Sequence, residues 1–304
     1  MEGNKGMVAK QLEGKFLSAN IMHQVKKDIS CFPSAPRLVS LLIGSDSGAR
    51  SYAKIQESAC KTVGISFELI QLPASTSEEE AIEYIEKLNN DPCVTGILIF
   101  VPVPKHINKN HLIASISHLK DVEGISPTNM GKLFYGSTSI VPCTPKAVML
   151  LIKSIGYNLV GKEVVVISRS PIIGQPLLLM LLESANASPT PVCCHIATKN
   201  LEFHTKRADV VIVAAGKANL IHGHMLKEGA VVIDVGINLV ENIQDGRKVR
   251  SIVGDVHYSS AMEVASWLTP VPGGVGLVTT AVLLQNVLLL AKQHFTRLGR
   301  VDTL

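Results

Sequence analysis

The sequence predicts an α/β protein of two lobes, and three observations carry that prediction. Strand-length apolar runs alternate with helix-length runs along almost all of the 304 residues. Runs such as Glu163 to Ser168 are apolar on both faces, as strands of a doubly covered parallel sheet must be. Apolar residues make up 46 % of the chain and charged residues 18 %, enough apolar mass to fill a core in each lobe.

The elements follow in order. Arg37 to Ile43 reads as a strand, with a helix through Tyr52 to Val63. Ser66 to Leu72 is a second strand, Glu78 to Leu88 its helix, and Val94 to Val101 a third strand. This βαβαβ run implies a parallel sheet. Lys120 to Tyr135 is rich in turn residues and reads as irregular. A second series opens near Pro145: helix Ala147 to Ile155, strand Glu163 to Ser168 and helix Ile173 to Glu183. Three more strands follow at Pro191 to Ala197, Val210 to Ala214 and Ala230 to Val235. The last helix, Thr279 to Arg297, is expected to cross back to the first lobe. The expected division is residues 1–145 with 279–304 for one lobe and 146–278 for the other, with a cleft between them. The tail Val301 to Leu304 is expected to fray.

The run Leu268-Thr269-Pro270-Val271-Pro272-Gly273-Gly274-Val275-Gly276 stands apart from these elements. It packs three glycines and two prolines into nine residues without a charge. Prolines fix φ and glycines bring the main chain within reach of a ligand, so this is a stiff platform for a flat molecule. The apolar run from Leu277 to Ala291 places it at a junction with a helix.

Composition excludes several functions. Aromatic residues are 4 % and the net charge is only +4, with Lys and Arg dispersed, which argues against a nucleic-acid surface. The cysteines at 31, 60, 93, 143, 193 and 194 include no CxxC pair, so free thiols in a reducing compartment are expected. His222-Gly223-His224 has no metal-ligand spacing. Met1 to Gln11 lacks an apolar signal core, and Val282 to Leu290, interrupted by Gln285 and Asn286, is short for a bilayer span. A cytoplasmic location without membrane contact is the expectation.

Chemistry concentrates in a few segments. Tyr52 and Gln56 are four apart on one helix and share a face, whereas Lys54 points elsewhere. Lys120-Asp121-Val122-Glu123-Gly124 offers carboxylates in a turn. Ser168 ends a buried strand, and Arg169-Ser170-Pro171-Ile172-Ile173-Gly174-Gln175-Pro176 leads into a helix. A strand, a Gly-containing turn and a helix N-terminus set backbone N–H groups against a pyrophosphate. A plain βα turn would look the same, and no GxGxxG is present. Asp234-Val235-Gly236-Ile237-Asn238 and Gly254-Asp255-Val256 complete the set, and Asp255 is as readily a helix cap as a ligand contact.

In this order the segments closely resemble the FolD family, the methylenetetrahydrofolate dehydrogenase/methenyltetrahydrofolate cyclohydrolases. The resemblance runs from Leu12-Glu13-Gly14-Lys15 to the last helix. It implies a folate-binding catalytic lobe, a Rossmann-type NAD(P)-binding lobe, a tetrahydrofolate one-carbon substrate and a homodimer. It assigns catalysis to the positions of Tyr52, Gln56, Phe100 and Glu123, and substrate binding to Tyr52, Val101, Pro102, Glu123, Pro270, Pro272 and Gly273. Cofactor contacts fall on Thr144, Ser168, Arg169, Ser170, Ile173, Gly174, Ile196, Gly236, Ile237, Gly274, Val275, Gly276 and Thr279. The glycine-proline loop would then hold pterin near Pro270 to Pro272 and nicotinamide near Gly273 to Thr279. The strand Pro191 to Ala197, which includes Ile196, carries no acidic residue for a free ribose 2′-OH, while Arg169 and Lys199 suit a 2′-phosphate, so NADP is preferred over NAD.

Three catalytic positions depart from the family pattern. Gln56 stands where the family has Lys, Phe100 where it has Gln, and Glu123 where it has Asp. Oxidising a methylene bridge needs alignment of two rings, whereas hydrolysing the resulting cation needs proton transfer to and from water. Gln cannot titrate and Phe cannot hydrogen-bond. The expectation is therefore a dehydrogenase with a weak or lost cyclohydrolase step. The alternatives are a bifunctional enzyme in which Glu123 or an ordered water moves the protons, and a non-catalytic folate- or dinucleotide-binding paralogue.

Overall fold

The computed structural model describes residues 8–183, 188–244 and 247–297, so the expectation for Val301 to Leu304 lies outside the described residues. The chain divides into two compact units. One holds the residues up to Leu17 together with Thr144–Thr279; the other holds Ser18–Cys143 and the chain from Thr280.

The second of these units is built on a three-stranded parallel sheet in the order Ser66–Leu72, Arg37–Ile43, Gly96–Ile99. Arg37–Ile43 is central and almost wholly buried, as its unbroken apolar run requires. One face of the sheet (Val39, Leu41, Ile43, Ile97 and Ile99) packs on Ala81, Ile85 and Leu88 of the helix Glu78–Asn90. That helix starts at a capping box. Ser77 Oγ accepts from the Glu80 N–H at 3.1 Å, and Glu80 Oε2 accepts from the Ser77 N–H at 2.8 Å. Burying each Leu or Ile here contributes about 1.5–3 kcal/mol.

The other unit carries a six-stranded parallel sheet. Its order is Lys10–Gln11, Trp267–Leu268, Val231–Asp234, Val210–Val213, Glu163–Ile167, Thr190–Cys194. From Glu163–Ile167 the chain runs first to one side and then, through Val210–Val213, to the other. The carboxyl ends of those two strands therefore form the topological switch point, where open α/β sheets bind ligands.

Several expectations need correction. The third strand ends at Ile99, not Val101, because the chain turns out of the sheet toward a cis Val101–Pro102 bond. Lys120 to Tyr135 is not irregular throughout: Pro127–Phe134 is a helix with Ser126 as its cap and Pro at its start. The strand expected over Pro191 to Ala197 is Thr190–Cys194, which leaves Ile196 beyond the sheet. The strand expected over Ala230 to Val235 is Val231–Asp234. Residues 8–17 pack with the Rossmann-type unit because Lys10–Gln11 adds a parallel edge strand beside Trp267–Leu268. The antiparallel pair Asn238–Gln244 and Arg247–Val253 was not foreseen.

The final helix is Val275–Arg297, longer than the sequence suggested. Within the stretch Val275–Thr296, long and apolar enough to cross a membrane by length and composition alone, lies an 18-residue window with a mean hydropathy of 1.7. Two-thirds of it (67 %) is buried inside the protein, so its apolar character is that of a core helix.

Candidate active site

In the three-stranded unit the helix Ser47–Val63 starts where Asp46 Oδ1 accepts from the Ala49 N–H at 2.7 Å. It stops at Gly64, whose φ is +87°. Its buried stripe is Ala49, Ala53, Gln56, Cys60 and Val63, while Lys54 is exposed. Gln56 is 0 % exposed, and neither of its amide atoms completes a hydrogen bond among the described residues. Gln56 is therefore no solvent-facing residue. An unpartnered buried amide costs about 1–3 kcal/mol.

Tyr52 lies one turn away on the same face. Removal from water raises its pKa, while a hydrogen bond with the Thr280 side chain and the nearby Gln56 amide pull it down. The Gln56 amide approaches the phenol without the geometry of a full hydrogen bond. Phe100 is buried and meets Tyr52 edge to face, with ring centroids 6.2 Å apart and an angle of 79° between planes. Its backbone N–H still donates to the Leu41 carbonyl at 2.8 Å, which fixes the ring at the strand end. The side chain of Val101, just beyond, is exposed.

Glu123 is delivered by a turn that Asp121 organises. Asp121 is 1 % exposed. Its Oδ1 accepts from the Gly124 N–H at 2.9 Å, and its Oδ2 accepts from the Ser126 N–H at 2.7 Å and from Asn129 Nδ2 at 2.9 Å. Asp121 is thus a scaffold, not a solvated charge. Gly124 has φ +67°, and a Cβ there would press on the Val141 carbonyl carbon at 2.8 Å. Burial, then the neighbouring Asp121 carboxylate, pushes the Glu123 carboxyl up to about 8. Part of its surface still meets solvent. A carboxyl of that kind is mostly protonated at neutral pH and can donate as well as accept a hydrogen bond.

In the Rossmann-type unit, Ser168 is buried at the end of Glu163–Ile167, and its Oγ accepts from the Ser170 N–H at 3.3 Å. Ser170 Oγ accepts from the Ile172 N–H at 3.3 Å. The helix Gly174–Glu183 starts against this turn, and a Cβ on Gly174 would run into the Ser168 carbonyl. Only glycine fits there, leaving a cradle of main-chain N–H groups at a helix N-terminus. The Arg169 side chain is exposed and makes no ion pair among the described residues. Ile173 is half-buried, whereas Ile196 and Ile237 are exposed. The cradle, a free guanidinium and the absence of an acidic residue after Thr190–Cys194 fit a phosphorylated dinucleotide.

Behind the cradle two carboxylates lock the strand ends. Asp234 accepts from the N–H groups of Gly236, Asp255 and Val256 at 2.9, 3.0 and 2.8 Å. Burial nevertheless pushes its carboxyl up to about 7. Asp255 caps no helix. It accepts from the N–H groups of Ala215, Gly216 and Lys217 at 2.6, 2.9 and 2.9 Å, and from Asn238 Nδ2 at 2.8 Å. The loop after Leu268 is held too. Asp234 N–H donates to Thr269 Oγ1 at 2.7 Å, and Gly14 N–H donates to the Gly273 carbonyl at 2.9 Å. Val271–Pro272 is cis, and Gly273 has φ +114°. Gly274 and Val275 are buried, while Pro270 and Gly273 keep some exposure and Pro272 and Gly276 are open. Thr279 Oγ1 lies 3.5 Å from Thr144 Oγ1.

The structure thus gathers Tyr52, Gln56, Phe100 and Glu123 in one unit and the switch-point residues with the loop in the other. Sequence reasoning missed Thr280, the hydrogen-bond partner of Tyr52, and singled out the segments holding Asp121 and Asp234 without assigning either its structural role. The repeated Asp-x-x-Gly and Asp-x-Gly spacings (Asp121 with Gly124, Asp234 with Gly236) were the available signal. Among the described residues no cluster of three or more His, Cys, Asp or Glu side chains is arranged to hold a metal ion. His222 stacks with His257 and His224 at ring distances of 4.8 and 5.7 Å.

Comparison with known proteins finds a match for each of two segments of the chain. Residues 12–123 match the family model of the tetrahydrofolate dehydrogenase/cyclohydrolase catalytic domain, and residues 142–295 match that of its NAD(P)-binding domain. The bifunctional protein FolD of Acetivibrio thermocellus is 44 % identical over 289 residues, covering 94 % of this chain and 98 % of the relative. The crystal structure of the bifunctional FolD from Campylobacter jejuni superposes with a TM-score of 0.86 at 40 % identity, covering 94 % of this chain and 99 % of that one. The Trypanosoma brucei enzyme, solved with NADP and an inhibitor, gives 0.87 at 31 % identity, covering 97 % and 99 %.

Proposed function

Because the chain belongs to the tetrahydrofolate dehydrogenase/cyclohydrolase family, we propose that it is an NADP-dependent methylenetetrahydrofolate dehydrogenase whose cyclohydrolase step is weak or lost. One observation carries the second half: Gln56, buried beside Tyr52, presents an unpartnered and untitratable amide where relatives of the family pattern carry Lys.

NADP, when bound, supplies the hydride acceptor. Ser168, Ser170 and the N–H groups ahead of Gly174 hold the pyrophosphate, and Arg169 meets the 2′-phosphate. In the three-stranded unit Glu123 hydrogen-bonds the polar edge of the pterin, and Tyr52, Val101 and Pro102 flank it. The family resemblance also assigns substrate binding to Pro270, Pro272 and Gly273 of the other unit. Loss of hydride from the methylene carbon leaves a methenyl cation delocalised over two folate nitrogens. That step asks the protein for alignment and no proton transfer. Hydrolysis asks for more: water must add to the cation and surrender a proton. Gln56 cannot take it, and Phe100 removes a second polar partner. Loss of an acid/base group costs about 10²–10⁴-fold in rate.

A second reading has its own support. Glu123, titrating near 8, is poised to exchange a proton at neutral pH and could serve the hydrolytic step. In that case Glu123→Gln abolishes methenyl hydrolysis. The assay that separates the readings follows NADPH and methenyl absorbance together in the full-length protein. We expect NADPH to rise while the methenyl signal persists; disappearance of methenyl as fast as NADPH forms contradicts the proposal. We further propose a cytoplasmic location and, as the family resemblance implies, a homodimer, the latter to be checked by sedimentation.

A further inference from the structure

Gln285 and Asn286 interrupt an otherwise apolar helix, and the roles assigned so far leave Asn286 without one. It is 0 % exposed. Its Nδ2 lies 2.9 Å from the Val122 carbonyl, 2.9 Å from the Val141 carbonyl and 3.5 Å from Cys143 Sγ. Val122 is the residue before Glu123. Val141 is the residue against which Gly124 is packed on the other side. The amide therefore grips the main chain immediately before Glu123 and ties it to the segment at Val141 that confines Gly124. Cys143 Sγ also approaches the Val122 carbonyl, at 3.5 Å.

Sequence economy makes the choice of residue informative. An apolar side chain at 286 would suit the buried stripe of the helix, which carries Val282, Leu283, Val287 and Leu290. It would deprive the Val141 carbonyl of this donor and leave the Val122 carbonyl only the weak Cys143 thiol. The same helix places Thr280 against the Tyr52 hydroxyl. One element thus fixes the phenol and the carboxyl-bearing turn together, through Thr280 and Asn286.

We propose that Asn286 is a positioning residue for folate binding, acting through the backbone of Val122 to hold Glu123 at its place in the site. The inference rests on Glu123 being the folate-binding carboxyl proposed above. A misplaced Glu123 weakens folate without disturbing NADP, whose proposed contacts lie on other residues.

The test is a double-mutant cycle on the full-length enzyme, read as KM for 5,10-methylenetetrahydrofolate and KM for NADP. Asn286→Ala is expected to raise the folate KM about tenfold, the effect of a hydrogen-bonding group lost from register, with the NADP KM unchanged within about twofold. In a Glu123→Gln background the same substitution should change the folate KM by less than about twofold, because its route to the ligand has gone. Equal effects in both backgrounds, or no effect on folate KM in the wild type, overturn the proposal while leaving Glu123 as the ligand group. A wild-type folate KM in Glu123→Gln alone overturns the reading beneath it and the proposal together. Should Asn286→Ala fail to fold, Asn286→Ser, which keeps one donor, is read by the same cycle.

Discussion

At the scale of single residues, the site is defined by what Glu123 and Gln56 cannot do in water. Glu123 keeps its proton up to about pH 8, whereas in the unfolded chain it ionises near its ordinary 4.5. The folded state binds the extra proton, so stability from this group is intact below the ordinary value and is lost as pH rises through about 8. Glu123→Gln stays neutral at every pH. Thermal unfolding should show the variant and wild type alike near pH 4, with the variant more stable by about 2 kcal/mol near pH 9, less than the full shift allows because part of the side chain meets solvent. A difference that grows toward acid pH instead would mean that Glu123 is ionised in the folded protein. Gln56 teaches a related lesson about legibility. Its pairing with Tyr52 follows from four-residue spacing, and the sequence shows it plainly. Its complete burial does not, because burial is set by how the folded chain packs around the helix and leaves no mark in local spacing.

At the scale of elements, the strand-to-helix junction at Ser168–Gly174 is the proposed seat of the cofactor pyrophosphate. Gly174→Ala should force the helix start away from the Ser168 carbonyl. The expected result is a loss of roughly 1–3 kcal/mol of stability and at least a tenfold rise in NADP KM, with folate affinity retained. An NADP KM equal to wild type would remove this turn from the cofactor site. The sequence marked this junction through an apolar strand run followed by Gly and a second apolar run. It also set the limits of Arg37–Ile43 and Ser66–Leu72 correctly, because both are long and bounded by turn residues. Lys10–Gln11 and Trp267–Leu268 escaped notice because a two-residue strand is defined by its partner and carries no period of its own. Pro127–Phe134 was masked by its own Pro and Gly131, which read as turn chemistry. The pair Asn238–Gln244 and Arg247–Val253 had a usable signal, Asp245-Gly246 between β-rich runs.

At the scale of the whole molecule, the chain contributes to each unit twice. Residues up to Leu17 join the six-stranded unit before the three-stranded one is built, and the last helix supplies Thr279 to the former and Thr280 onward to the latter. Such contributions are invisible to a reading that cuts the sequence at composition changes. The division of chemistry is nonetheless plain: the features that would align two rings, the cradle at Gly174 and the loop from Pro270 to Gly276, are intact. The position that would activate water carries the Gln56 amide beside the Tyr52 phenol. The most direct measurement compares methylene oxidation and methenyl hydrolysis in the wild type and in the double variant Gln56→Lys with Phe100→Gln. Oxidation should be present in the wild type with hydrolysis slower than in the double variant by about 10²–10⁴-fold. Wild-type hydrolysis that already keeps pace with oxidation, and gains nothing from the two substitutions, would contradict a hydride-transfer enzyme that has given up its hydrolytic step.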